Sequence, residues 1–215
     1  FLTHLKNFYL RNFTEGATLR IVCGNESADL DSVVSAITYA YFSYVKDPAC
    51  PMVPIINIPR ADLALRRDIL YVLNQKSIPQ DLLYFTEDLQ SIKSHYKCSV
   101  DSVLVDHNDP QSQAKDLIDR VTGIVDHHED LGLYGDSIEE AHGPRIVETS
   151  GSCSSLVFNY WFSRLGQNVL PVKDALPLSL GAAIIDTSNF QYKVEEPDRI
   201  ALDRYKQGLP GFDIT

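Results

Sequence analysis

Four short stretches of this 215-residue chain gather side chains able to hold a cation or move a proton. The first is Gly24-Asn25-Glu26-Ser27-Ala28-Asp29-Leu30-Asp31-Ser32, with two carboxylates two residues apart just ahead of a helical pattern. The second is Asp106-His107-Asn108-Asp109, and the third is Asp126-His127-His128. The fourth is Asp186, which closes the apolar run Leu180-Gly181-Ala182-Ala183-Ile184-Ile185. Each has an ordinary structural use: Asp29 and Ser32 can cap a helix, 106–109 reads as a polar turn, and the two histidines can be exposed in a loop. Together they supply carboxylate and amide oxygens suited to hard divalent cations, and imidazoles suited to transition metals. Such a set points to a site with two divalent cations, which stabilises charge on the attacking and leaving oxygens of a displacement. A side chain shared by two ions must touch both, which a carboxylate can do and an imidazole cannot, so Asp106 or Asp31 is a better bridge than either histidine.

The elements that must position these residues follow from the hydropathy pattern. Leu19–Cys23, Met52–Ile58, Leu82–Phe85, Val103–Val105, Gly123–Val125 and Arg145–Glu148 read as strands. Ser32–Tyr44, Leu63–Leu73, Gln111–Arg120, Ser152–Arg164, Pro177–Ile185 and Pro197–Gln207 read as helices, the last stopped by Gly208 and Pro210. Short apolar runs alternating with helices predict an α/β fold with a mainly parallel sheet flanked by helices. In such sheets the functional crevice lies beyond the carboxyl ends of the strands, and three of these strands run into acidic or amide-bearing loops. The stretch 129–144, with three glycines and many acids, reads as the flexible segment of the domain.

The net charge of −10 excludes attraction to nucleic acid or anionic membranes through the global field. An anionic substrate therefore needs a local inversion of sign, which bound cations provide. Cys23, Cys50, Cys98 and Cys153 form no paired motif and read as free thiols, so a reducing, cytoplasmic setting is expected. No run reaches the length of a membrane span, and the first residues do not read as a signal peptide.

The four stretches, in this order, resemble the DHH phosphoesterase superfamily. Its first motif is His-x-x-x-Asp-x-Asp, its second an Asp after a strand, its third Asp-His-His and its fourth a single Asp. The resemblance covers about residues 19–190. It is closer to fungal cytosolic exopolyphosphatases, through GNESADLDSVVSAITYAY, LVDHND, GIVDHHEDL and GAAIIDTSN. It is more distant to prune proteins and family II inorganic pyrophosphatases. The resemblance implies that Asp29 binds a first metal and Asp31 a second. It implies that Asp106 bridges both, that His127 and Asp186 complete the second site, and that His128 contacts substrate phosphate while Asp126 orients its neighbours. Asn25 stands where the pyrophosphatases have histidine. Its amide oxygen is a harder donor, which shifts the first site toward Mg²⁺ over Mn²⁺ or Co²⁺.

Ser150–Ser155 precedes an apolar helix and reads either as a helix cap or as a phosphate cradle, with Ser152 and Ser154 as donors and Arg145 on the approach. Asp106 and His128 are the expected catalytic groups. Residues 1–190 are expected to form the catalytic domain, and residues 191–215 a helix and the start of a linker toward a second domain of DHHA2 type. The expected activity is removal of terminal phosphate from inorganic polyphosphate. A prune-like short-chain polyphosphatase or nucleotide phosphodiesterase, a pyrophosphatase, and a metal-binding module without turnover are the alternatives.

Overall fold

The computed structural model describes residues 1–165 and 169–209. A helical segment leads in, with α1 (Leu2–His4), a π turn (Leu5–Tyr9) and a 3-10 turn (Leu10–Asn12). Strands and helices then alternate through β1 (Thr18–Cys23), α2 (Leu30–Lys46), β2 (Val53–Ile56), α3 (Arg67–Gln75), β3 (Tyr84–Phe85), α4 (Thr86–Tyr96) and β4 (Ser99–Val105). They continue through α5 (Ser112–Leu117), β5 (Arg120–Asp126), α6 (Gly135–Glu140), β6 (Arg145–Val147), α7 (Cys153–Leu165), α8 (Val169–Asp186) and α9 (Glu196–Gly208). The strands form one six-stranded sheet in the order β3-β2-β1-β4-β5-β6, and every pairing is parallel. This is the α/β architecture that the alternating pattern predicts.

The sheet is buried on both faces, which is why its central strands are almost continuously apolar. Val22, Val103, Val105 and Val125 meet α2, α7, α8 and α9 on one face, where Phe42, Phe158 and Tyr205 are fully buried. Leu19, Ile21, Val53, Leu104 and Ile124 meet the N-terminal segment, α4, α5 and α6 on the other. The chain winds outward from β1 in one direction and from β4 in the other. That reversal opens a crevice beyond the carboxyl ends of these two neighbouring strands.

Several elements differ from the pattern reading. Helix α6 lies inside the segment expected to be flexible, because Ile138 is buried against the sheet and anchors one turn. Helix α8 begins well before Pro177, which sits within it. The neighbouring Leu176, Leu178 and Leu180 are buried, and that packing outweighs one lost backbone bond. The expected helix over 63–73 is a 3-10 turn (Arg60–Leu65) followed by α3, with the break at Arg66 (φ −98°, ψ 71°). Helix α4 and the N-terminal helical turns have too few apolar residues in register to stand out. The expected linker residues Asp213, Ile214 and Thr215 lie outside the described residues.

Candidate metal centre at the strand ends

The loop after β1 is shaped by Gly24, where a Cβ would lie 2.4 Å from Ser32 Oγ. Asn25 then closes a tight turn: its Oδ1 accepts from Ala28 N at 3.0 Å and from Ser27 Oγ at 2.8 Å. Its Nδ2 donates to Asp106 Oδ2 at 2.8 Å. The group that Asn25 presents to the cluster is thus its NH₂, while its oxygen faces its own loop. Asp29 caps α2 by accepting from Ser32 N at 3.0 Å. Asp29 thus serves as the N-cap while its charge is felt at Asp106 and Asp186.

Asp31, in the first turn of α2, is buried and lies against the N-terminus of α7. It accepts from Ser152 Oγ at 2.8 Å, from Cys153 N at 2.6 Å and from Ser154 N at 2.8 Å. The free amides of a helix N-terminus make an anion site, and here the anion is Asp31. Ser152 and Ser154, expected to face a substrate phosphate, are fully buried and hold this carboxylate. Arg145 is engaged as well, through a bidentate pair with Asp130 at 2.9 and 2.7 Å.

Asp106 follows β4 with φ +63°, a left-handed conformation that costs a non-glycine residue about 1–3 kcal/mol. Its amide donates to Val125 O at 3.0 Å, which ties the strained residue to β5. The conformation turns the carboxylate to His127, whose Nε2 lies 3.0 Å from Asp106 Oδ1. His127 Nδ1 donates to Ser150 O at 2.9 Å, which fixes the ring and leaves Nε2 toward the cluster. Asp126, at the end of β5, is fully buried. It accepts from Asn108 Nδ2 at 2.6 Å, from His127 N at 2.8 Å and from His128 Nδ1 at 2.7 Å. It therefore orients both histidines. Asn108 also accepts from Leu131 N and donates to Glu129 O, pinning the loop beyond. The sequence showed Asn108 only as one polar residue in a turn. His107 is buried with Nδ1 on Val105 O at 2.9 Å, and its Nε2 has no partner among the described residues.

Asp106, His127 and His128 each offer an atom within 4.8 Å of the others, a grouping able to hold a cation. Asp186 ends α8 nearby, with Oδ2 buried and unpartnered among the described residues. Burial and the charges of Asp31 and Asp29 push the Asp106 carboxyl up to about 7, against the lowering effect of His127. Burial and Asp31 push Asp186 up to about 8. Burial raises Asp31 also, despite its hydrogen bonds. Burial opposes a charge on His127, but its bond to Asp106 and the field of Asp31 prevail and raise it to about 9. Among the described residues no lysine or arginine pairs with Asp29, Asp31, Asp106 or Asp186. Crowded acids, an orphaned oxygen and a fixed imidazole nitrogen fit a divalent cation, which supplies the charge that the protein withholds.

These shifts set a pH dependence. Between about pH 4 and pH 9 the folded metal-free chain holds more protons on Asp106, Asp186 and His127 than the unfolded chain does. The raised acids oppose folding increasingly as they ionise. The raised imidazole stabilises fully below its ordinary value, and that gain is lost as pH passes about 9. Both contributions fall in the same direction, so melting in the presence of chelator should come at lower temperature at pH 9 than at pH 6. A divalent cation, which favours the ionised carboxylates, should flatten or invert that slope. A metal-free melting temperature that rises with pH would contradict the assignment.

The fold and the site define a class: a parallel α/β domain with a buried acidic and imidazole cluster where the winding reverses. The N-terminal domain of the DHH family matches residues 20–182, and the chain belongs to that family. It is 36% identical over 181 residues to a Schizosaccharomyces pombe protein that carries the name "Putative exopolyphosphatase", covering 79% of this chain and 45% of that protein. It is 31% identical over 186 residues to human "Exopolyphosphatase PRUNE1", covering 84% of this chain and 38% of that protein. The chain thus spans less than half the length of these two curated relatives. The crystal structure of an exopolyphosphatase-related protein from Bacteroides fragilis shares the fold, with a TM-score of 0.60 at 16% identity over 99% of this chain and 57% of that one.

Proposed function

We propose that this chain is the metal-binding catalytic part of a phosphoanhydride hydrolase that removes terminal orthophosphate from inorganic polyphosphate. The observation that carries the reading is the convergence of the buried acids Asp31 and Asp106 with His127 and the unpartnered Asp186 Oδ2, without a lysine or arginine paired to these acids among the described residues. The exopolyphosphatase names of the relatives support the substrate class. Asp29, Asp31, Asp106, His127 and Asp186 would hold the cations, with Mg²⁺ and Mn²⁺ the ions to test. Divalent cations in such a site polarise phosphoryl oxygens and lower the pKa of water.

The protein's own groups supply the rest. His128 is 57% exposed at its side chain, with Nδ1 fixed on Asp126. The hydrogen bond that Nδ1 donates to Asp126 outweighs partial burial and raises the imidazole above its ordinary value. With Nδ1 held on Asp126, a second proton would sit on Nε2, from which it could be donated to a phosphate oxygen as negative charge develops there. Asn25 steadies the Asp106 carboxylate through Nδ2.

Phosphate release from long-chain polyphosphate, tripolyphosphate and pyrophosphate, each with Mg²⁺ or Mn²⁺, tests the proposal. Polyphosphate should shorten from its ends with orthophosphate as product. Hydrolysis of pyrophosphate alone would point instead to a pyrophosphatase, and cation binding without any hydrolysis to a binding module.

A further inference from the structure

A chain of hydrogen bonds holds His127 from behind and reaches the last helix. His127 Nδ1 donates to Ser150 O at 2.9 Å. The same peptide unit offers its N–H, on Gly151, to Asp198 Oδ2 at 2.6 Å. A trans peptide points its C=O and its N–H in opposite directions. The imidazole therefore lies on one side of this peptide and the carboxylate on the other, with His127 Nε2 left toward the acidic cluster.

Asp198 also has an ordinary use. It stands in the first turn of α9 and accepts from Glu195 N at 2.9 Å, as a helix-capping acid does. Capping does not account for the bond to Gly151, which lies 47 residues earlier. Nor does it account for burial: aspartate is almost never fully buried unless paired, yet Asp198 is 0% exposed. Among the described residues no cationic side chain pairs with it, and its Oδ1 has no hydrogen-bond partner. Gly151 is fitted to this carboxylate. A Cβ there would lie 2.4 Å from Lys193 O, 2.6 Å from Thr187 Cγ2 and 3.1 Å from Asp198 Oδ2. The missing side chain lets the peptide sit between the turn that follows Asp186 and the start of α9.

An anion on the N–H side of a peptide draws electron density toward its carbonyl oxygen, because the two share one resonance system. A more negative Ser150 O holds the Nδ1 proton more strongly, and an imidazole so held is a stronger donor through Nε2. Metal-ligating histidines often carry a carboxylate directly on the second nitrogen; here one peptide is interposed. We propose that Asp198 is a positioning residue of the metal centre, which fixes and strengthens His127 through the Ser150–Gly151 peptide. The proposal rests on the reading of His127 as a ligand of a divalent cation.

The Nδ1 proton of His127 gives a magnetic resonance signal that needs no metal and is identified by its loss in His127→Ala. In the unmodified, metal-free chain this signal and that of the Gly151 amide should both lie well downfield, as protons in short charge-assisted bonds do. Asp198→Asn keeps an acceptor for the Gly151 and Glu195 amides and removes the charge. It should move the His127 signal upfield and weaken Mn²⁺ binding roughly tenfold, the lower end of the loss that follows removal of an outer partner. In a His127→Ala chain the same substitution should cause no further loss of Mn²⁺ binding. A capping role alone would lower the melting temperature and leave the His127 signal where it was. That result, ordinary shifts for both protons in the unmodified chain, or a further loss of Mn²⁺ binding in the His127→Ala chain would each overturn the proposal. A shifted His127 signal in a chain that binds no Mn²⁺ would uphold the link from Asp198 to His127 and overturn the metal reading instead.

Discussion

Asp106→Asn should reduce phosphate release by at least about a thousandfold, the scale seen when a preorganised charge is removed from a catalytic site, while making the metal-free protein more stable. The two effects share one cause. The carboxylate is 2% exposed and pushed up to about 7 by burial and by the charges of Asp31 and Asp29. The neutral amide keeps the shape and removes the repulsion, a gain on the order of 2 kcal/mol at pH 8. Loss of the charged bond to His127 offsets part of that gain. A melting temperature in chelator that rises by a few degrees, with activity gone, is the signature of a residue kept for function at the expense of stability. Parallel loss of both would assign Asp106 a structural role instead.

Asp31→Ala should behave in the opposite way in the metal-free protein. Its carboxylate satisfies Ser152 Oγ and the amides of Cys153 and Ser154, and ties the start of α2 to the start of α7. Removal leaves the buried amides of Cys153 and Ser154 without this acceptor and opens a small cavity, a loss that relief of the repulsion with Asp106 and Asp186 offsets only in part, for a net of about 2–4 kcal/mol. The melting temperature should fall by roughly 5–10 °C for a chain of this size. Asp31→Asn retains an acceptor and should recover part of the loss. Equal melting of Asp31→Ala and the unmodified chain, measured in chelator, would show that the α7 amides are satisfied in another way.

The contrast between these two aspartates marks the limit of what the sequence carries. Asp106 and Asp126 are legible because each closes an apolar run, and a parallel strand must deliver its last residue to the crevice. Asp31 and Asp29 are legible as acids at a helix start. The partners of Asp31 are not, since Ser152 is 121 residues away and its hydroxyl reads equally well as a cap or a phosphate donor. Arg145 looks like a free cation until the loop places Asp130 beside it. Asn25 reads in the sequence as an oxygen donor, whereas the turn with Ser27 and Ala28 takes that oxygen and sets its NH₂ on Asp106. Helix α6 was hidden because its one buried anchor, Ile138, lies among glycines and acids. The length of α8 was hidden because Pro177 reads as a stop unless the packing of Leu176 and Leu178 is known. Periodicity reports which residues share a face, whereas hydrogen-bond partners distant in the chain are fixed only by the folded backbone.

The cluster at the strand ends is proposed to bind divalent cations through ionised Asp106 and its neighbours. Calorimetric titration of Mn²⁺ into the unmodified chain and into Asp106→Asn, in two buffers of different ionisation heat, tests it most directly. Saturable binding with proton release is expected in the unmodified chain, because Asp106, Asp186 and His127 must give up protons to act as ligands. In the variant that binding should be lost. Equal binding by both proteins, with a heat that does not depend on the buffer, would place the cation elsewhere and contradict it.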